Sequence, residues 1–164
     1  MKKLFTVALM IFGALSLNAF AQKSSIAEMI SSNQRINKMF SGVLGDDNAG
    51  TENTEETSLS AIDFASAIKV TYLAETRKLE KARKKTVDKW LKSYGKTSGD
   101  KKFYVSETLV SENNVNYWII AKESVLEQLK AKQKNDAVKM NLKILGYYRK
   151  GSTTEYLLLT DGLE

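Results

Sequence analysis

The stretch from Ser58 to Tyr94, SLSAIDFASAIKVTYLAETRKLEKARKKTVDKWLKSY, decides the fold, because its apolar and basic residues separate onto two faces if it is helical. Placed at about 100° per residue, Ile62, Ala65, Ile68, Tyr72, Leu73, Thr76, Leu79, Val87, Trp90, Leu91 and Tyr94 share an arc of roughly 140°. Arg77, Lys78, Lys81, Lys84, Lys85 and Lys92 share an opposite arc of about 120°, broken only by Asp88. The spacing predicts one long amphipathic helix, with Ser58 or Ser60 as N-cap, Asp63 in the first turn and Gly95 as the stop. Two residues oppose the pattern. Lys69 and Arg83 point into the apolar arc, and Glu80, one turn before Arg83, is the expected partner of that arginine. The run Ile68-Lys69-Val70-Thr71-Tyr72-Leu73 also alternates and is β-branched, which would suit a strand.

Upstream, Met1 to Ala21 carries Lys2 and Lys3, an apolar run from Leu4 to Leu17, and Ala19-Phe20-Ala21 before Gln22. That is the plan of a secretory signal with cleavage after Ala21, and its short basic start looks bacterial. The apolar run is too short to span a bilayer comfortably, so no transmembrane span is expected after cleavage. The chain has no Cys, which excludes disulfides, thiol nucleophiles and a lipidated cysteine at the cleavage site. The expected location is periplasmic or secreted.

Residues 22–45 form an amphipathic helical leader, with Ile26, Met29, Ile30, Asn33, Ile36, Phe40, Val43 and Leu44 at three- and four-residue spacing. The stripe is narrow, so this helix needs a partner, either the following domain or another chain. Residues 46–57 hold five acids and no base among Gly, Asn and Thr, and read as a flexible acidic linker. The domain proper is then 58–164.

After Gly99 the apolar period becomes two. Phe103, Val105 and Leu109, turn chemistry at Ser111 to Asn114, then Val115, Tyr117 and Ile119 predict a β-hairpin. Ser124-Val-Leu-Glu127 has the form of a capping box opening a short helix. Val138, Met140, Leu142 and Ile144 predict a strand with those side chains in the core. Gly146 marks a bulge, Lys150-Gly151 a turn, and Tyr156 to Leu159 a final strand buried on both faces. The expected fold is α+β: the long helix followed by ββαββ antiparallel strands, packed as an open sheet on the helix. The alternative, if Ile68 to Leu73 is a strand, is a small, partly open barrel of OB-like order.

Few chemistries fit this composition. With no His, the Ser-His-Asp and Cys-His mechanisms and the commonest zinc ligand are gone. Glu52, Glu55 and Glu56 sit in the linker, and no pair of acids stands in contrasting surroundings. Neither a phosphate-binding glycine loop nor a calcium loop is present, so no catalytic residues, metal or cofactor are expected. Loss of Lys2 and Lys3 with the signal takes the 25 basic residues to 23 against 19 acidic, a net of +4. That charge is too mild to argue for nucleic-acid binding.

Two surfaces remain. One is an anion or partner surface of Arg77, Lys81, Lys84, Lys85 and Lys92, in which only Arg77 suits bidentate recognition. The other is an aromatic platform of Tyr104, Trp118, Tyr147 and Tyr148. The expected function is a non-enzymatic binding or protein-interaction module of the bacterial envelope, whose partner is an envelope protein or anionic polymer. Alternatives are a basic helix docking peripherally on an anionic membrane, and an enzyme whose site lacks His and Cys.

Overall fold

The computed structural model describes residues 25–44, 56–59, 65–93, 102–150 and 153–164. The segment expected to be a secretory signal, most of the expected acidic linker, and the predicted cap residues Ser60 and Asp63 lie outside the described residues. The element order is α1 (Ile26–Leu44), β1 (Glu56–Leu59), β2 (Ser66–Lys78), α2 (Lys81–Ser93), β3 (Ser106–Glu112), β4 (Val115–Ala121), α3 (Glu123–Leu129), β5 (Ala137–Lys150) and β6 (Thr153–Leu163).

The single helix expected over Ser58 to Tyr94 does not form. Its first part is strand β2, and only Lys81–Ser93 is helical. In β2 the alternation overrides the helical period: Ile68, Val70 and Tyr72 are buried, while Lys69 points outward opposite Lys139 of β5. The β-branched Ile68, Val70 and Thr71 fit an extended backbone, and pairing with both β5 and β3 satisfies the amides that a helix would otherwise have satisfied.

Nor does the sheet stay open. β2 pairs antiparallel with β3, β3 with β4, β4 runs parallel to β6, and β6 pairs antiparallel with β5, which returns to β2. Five strands thus close a barrel in a mixed α+β chain, and closure removes the exposed edges an open sheet would carry. The short β1 adds to the far end of β5, with Glu56 opposite Arg149 and Leu59 opposite Gly146. Glu56 and Thr57, assigned to the linker from composition, therefore belong to a strand.

Two backbone devices bend the long strands. In β2 the register slips between Tyr72 and Thr76, where Ala74 has φ 58°, so the strand turns from β5 towards β3. In β5 the register slips between Ile144 and Gly146, whose φ of 153° disfavours a side chain. The bulge expected at Gly146 is present. The β3–β4 turn is Asn113-Asn114, with φ 51° and 65°, the two-residue geometry that matches strand twist.

The core has two parts. Inside the barrel lie Ile68, Val70, Tyr72, Val110, Ile119, Val138, Met140, Leu142, Ile144 and Leu158. The four residues of β5 face inward as their alternation predicts. Ile26 and Met29 of α1 and Val125 and Leu129 of α3 enter the same cluster, so the partner of the leader's first turns is the barrel. Ser25 Oγ accepts from the Glu28 amide at 3.1 Å, and the Glu112 carboxylate accepts from the Ile26 amide at 3.1 and 2.9 Å, which fixes where α1 begins. Outside the barrel, Val87, Trp90 and Leu91 of α2 cover Tyr104, Ile120, Leu145, Leu157 and Leu159. The run from Tyr156 is thus sandwiched at Leu157 to Leu159 between interior and α2.

Two details of the sequence reading change. The capping box at Ser124 is absent: the N-cap of α3 is Lys122, two residues earlier, and it makes no side-chain cap. The Lys122 amide donates to the Thr160 carbonyl at 3.1 Å and the Glu123 amide to the Phe103 carbonyl at 2.9 Å, so the barrel sets this junction. Val105 and Val115 are exposed, because β3 starts at Ser106 and its interior residues are Thr108 and Val110.

Candidate functional site: the outer face of β2, β3 and α2

The site begins with a buried ion pair. Glu107 of β3 is fully buried on the outer wall of the barrel, opposite Arg77 of β2 and Ile120 of β4. Arg83, near the start of α2, reaches over it: one terminal nitrogen lies 2.9 Å from Glu107 Oε2, and the other donates to Glu155 Oε2 at 2.7 Å. Arg83 is itself only 5% exposed. Its partners are therefore Glu107 and Glu155, not Glu80. An ion pair this deep offsets its own desolvation only with good geometry, and its main effect is positional. It fixes how α2 sits on the wall.

Glu107 holds a second arginine. Arg77 Nε donates to Glu107 Oε1 at 2.5 Å, and the Arg77 guanidinium carbon lies 3.9 Å from the centroid of the Trp118 ring. Trp118 faces Leu109 across β3 and β4 and is half-buried. The Arg77 side chain remains 41% exposed.

Because Arg83, Val87, Trp90 and Leu91 are turned to the barrel, the opposite side of α2 faces water. Lys81, Lys85, Lys89 and Lys92 are exposed there, at spacings of four, four and three that keep them on one side over about 16 Å. Lys84, included from sequence, is half-buried and paired with Asp88 one turn on, so it stands apart. Lys89 was missed because, counted on one long helix, it falls just past the edge of the basic arc. Lys78 is exposed at the end of β2, on the strand face opposite that of Arg77.

The three described side chains of the expected aromatic platform make separate contacts. Tyr104 is buried under α2, Trp118 lies beneath Arg77, and Tyr147 packs edge-on to Tyr156 with ring centroids 6.3 Å apart. The side chain of Tyr148 is outside the described residues. Elsewhere, burial pushes the Tyr117 phenol above its ordinary value, and the neighbouring Glu112 carboxylate adds to the shift.

Among the described residues, no group of three acids, histidines or cysteines is placed to hold a metal ion, and no helix is long and apolar enough to cross a membrane. Compared with known proteins, the chain matches no family model, no curated protein and no solved structure. Its functional reading therefore rests on its own geometry.

Proposed function

We propose that this is an exported bacterial envelope protein acting as a non-enzymatic protein-interaction module, which engages an acidic segment of a partner through the basic face of α2. The observation that carries the reading is the four-lysine face of a helix locked to the barrel by Arg83 and Glu107. Lysines held in fixed relative positions attract an extended acidic partner and set its approach, although each exposed pair contributes only about 0.2 to 1 kcal/mol. We read the barrel as OB-like, since its strands follow the order of that architecture with α3 between the third and fourth barrel strands. The analogy supplies a frame and no activity. The Met1 to Ala21 segment supports export.

Docking of a basic helix on a membrane is the weaker reading. An amphipathic helix that inserts at a bilayer surface needs its apolar face free, and Val87, Trp90 and Leu91 are packed on the barrel. The enzyme reading finds less support still, because the buried carboxylate at this wall, Glu107, is paired with both Arg77 and Arg83.

The test is titration of the mature chain with a labelled, amide-capped octaglutamate peptide, anionic vesicles and polyphosphate as parallel probes. Binding to the peptide should weaken with salt and fall by roughly tenfold or more when Lys81, Lys85, Lys89 and Lys92 are all changed to Gln, at about 0.5 kcal/mol for each exposed pair lost. Absence of peptide binding, or binding indifferent to the four substitutions, sinks the proposal. Preference for vesicles would move it to the membrane reading.

A further inference from the structure

Resting on the reading of α2 as a surface for an acidic protein, we infer that Arg77 determines its specificity, as a pre-oriented fork that takes one partner carboxylate bidentately beside Trp118. The lysines cannot do this. Each is a hydrated point charge on a flexible stem and accepts any anion. Arg77 is held on two sides before a ligand arrives: its Nε donates to buried Glu107 at 2.5 Å, and its guanidinium carbon sits over the Trp118 ring, 3.9 Å from the centroid. Such restraint lowers the rotamer entropy lost on binding.

The restraint also selects which edge is offered. Nε is occupied by Glu107, so the two terminal nitrogens form the available fork, and among the described residues neither donates to a protein acceptor. The side chain as a whole is 41% exposed. A carboxylate brings two oxygens in the guanidinium plane and nothing out of it. A phosphate group brings further oxygens out of that plane, so a fork lying over an indole favours the planar acceptor. Leu109, opposite Trp118 in the hairpin, is buried beside that ring on the same sheet face. Arg77 and Arg83 share Glu107, which sets the fork beside the first turn of α2, where the lysine stripe begins at Lys81. Glu75, exposed two residues before Arg77, makes the charge here mixed, so a ligand gains more from a shaped contact than from the average field.

Arg77→Lys keeps the charge and removes the fork. With the mature chain and octaglutamate, this variant should bind about tenfold more weakly at low and high salt alike, because the number of charges is unchanged. Its affinity for polyphosphate should stay at the wild-type value. Equal octaglutamate binding by wild type and Arg77→Lys overturns the inference, as does an equal loss for both probes or a wild-type preference for polyphosphate. If wild type binds no octaglutamate, the reading of α2 has failed; if the four-lysine variant loses binding while Arg77→Lys does not, only the role of Arg77 has. Should Arg77→Lys not fold, Trp118→Ala removes the ring and leaves the charge. An unchanged ratio of octaglutamate to polyphosphate affinity in that variant overturns the inference too.

Discussion

Arg83 is a buried charge whose pairing with Glu107 and Glu155 fixes α2 on the barrel wall. In sequence it is a charge on the apolar side of a helix, which signals pairing, and pairing is what it does. Its partners are 24 and 72 positions away in the chain, on β3 and β6, so helical spacing alone named the wrong glutamate. The depth of Glu107 makes the pair testable. Glu107→Ala leaves Arg83 buried without its main counter-charge and should lower stability by about 3 to 5 kcal/mol in chemical denaturation. The double change Arg83→Met with Glu107→Leu, which fills the same space with apolar groups, should recover most of that loss. If the double variant is as unstable as the single one, packing and not charge governs this wall. Arg77 was legible as the one residue in the stripe able to bind bidentately, while its place over Trp118 and its bond to Glu107 required the pairing of β2, β3 and β4.

At the scale of elements, period two was readable wherever nothing competed with it. β5, with Val138, Met140, Leu142 and Ile144 inward, and the Asn113-Asn114 turn follow directly from alternation and turn chemistry. The stretch from Ser66 to Ser93 was harder, since its apolar residues satisfy both periods and the chain changes from strand to helix over Leu79 and Glu80 without Gly or Pro. Nothing local marks the bend in β2 either, because a residue other than glycine occupies the left-handed position at Ala74. That conformation costs an L-residue of order 1 kcal/mol. Ala74→Gly should therefore be neutral or stabilising by up to about 0.5 kcal/mol once the added chain entropy is counted, whereas Ala74→Val should cost about 1 to 3 kcal/mol. Denaturation midpoints of the two variants check this, and a tolerated valine would mean that the bulge is not structurally required.

For the whole molecule, the decisive feature is that α1 and the barrel share one interior. Ile26 and Met29 are almost completely buried among β-strand side chains, and Glu112 binds the first amide of the helix. Composition separates a leader from a domain, yet the core joins them. Met29→Ala should lower stability by about 2 to 5 kcal/mol, the usual cost of a cavity in a close-packed interior. Unfolding followed by barrel tryptophan fluorescence and by helical circular dichroism should shift together. Separate transitions would show that α1 and the barrel fold independently.

The amino-acid sequence by itself determined the chemistry this protein lacks, having no Cys and no His. It also determined the alternation of β5, the hairpin turn, the buried C-terminal strand and the presence of a basic helical face, because each is written in residues close together in the chain. Only the tertiary structure decided that β2 is a strand, that the sheet closes through the parallel β4–β6 pair, and that Arg83 and Arg77 converge on Glu107. Those outcomes depend on backbone pairing and charge burial between residues distant in sequence, where local periodicity carries no information and the energy of the closed barrel chooses between two locally acceptable conformations.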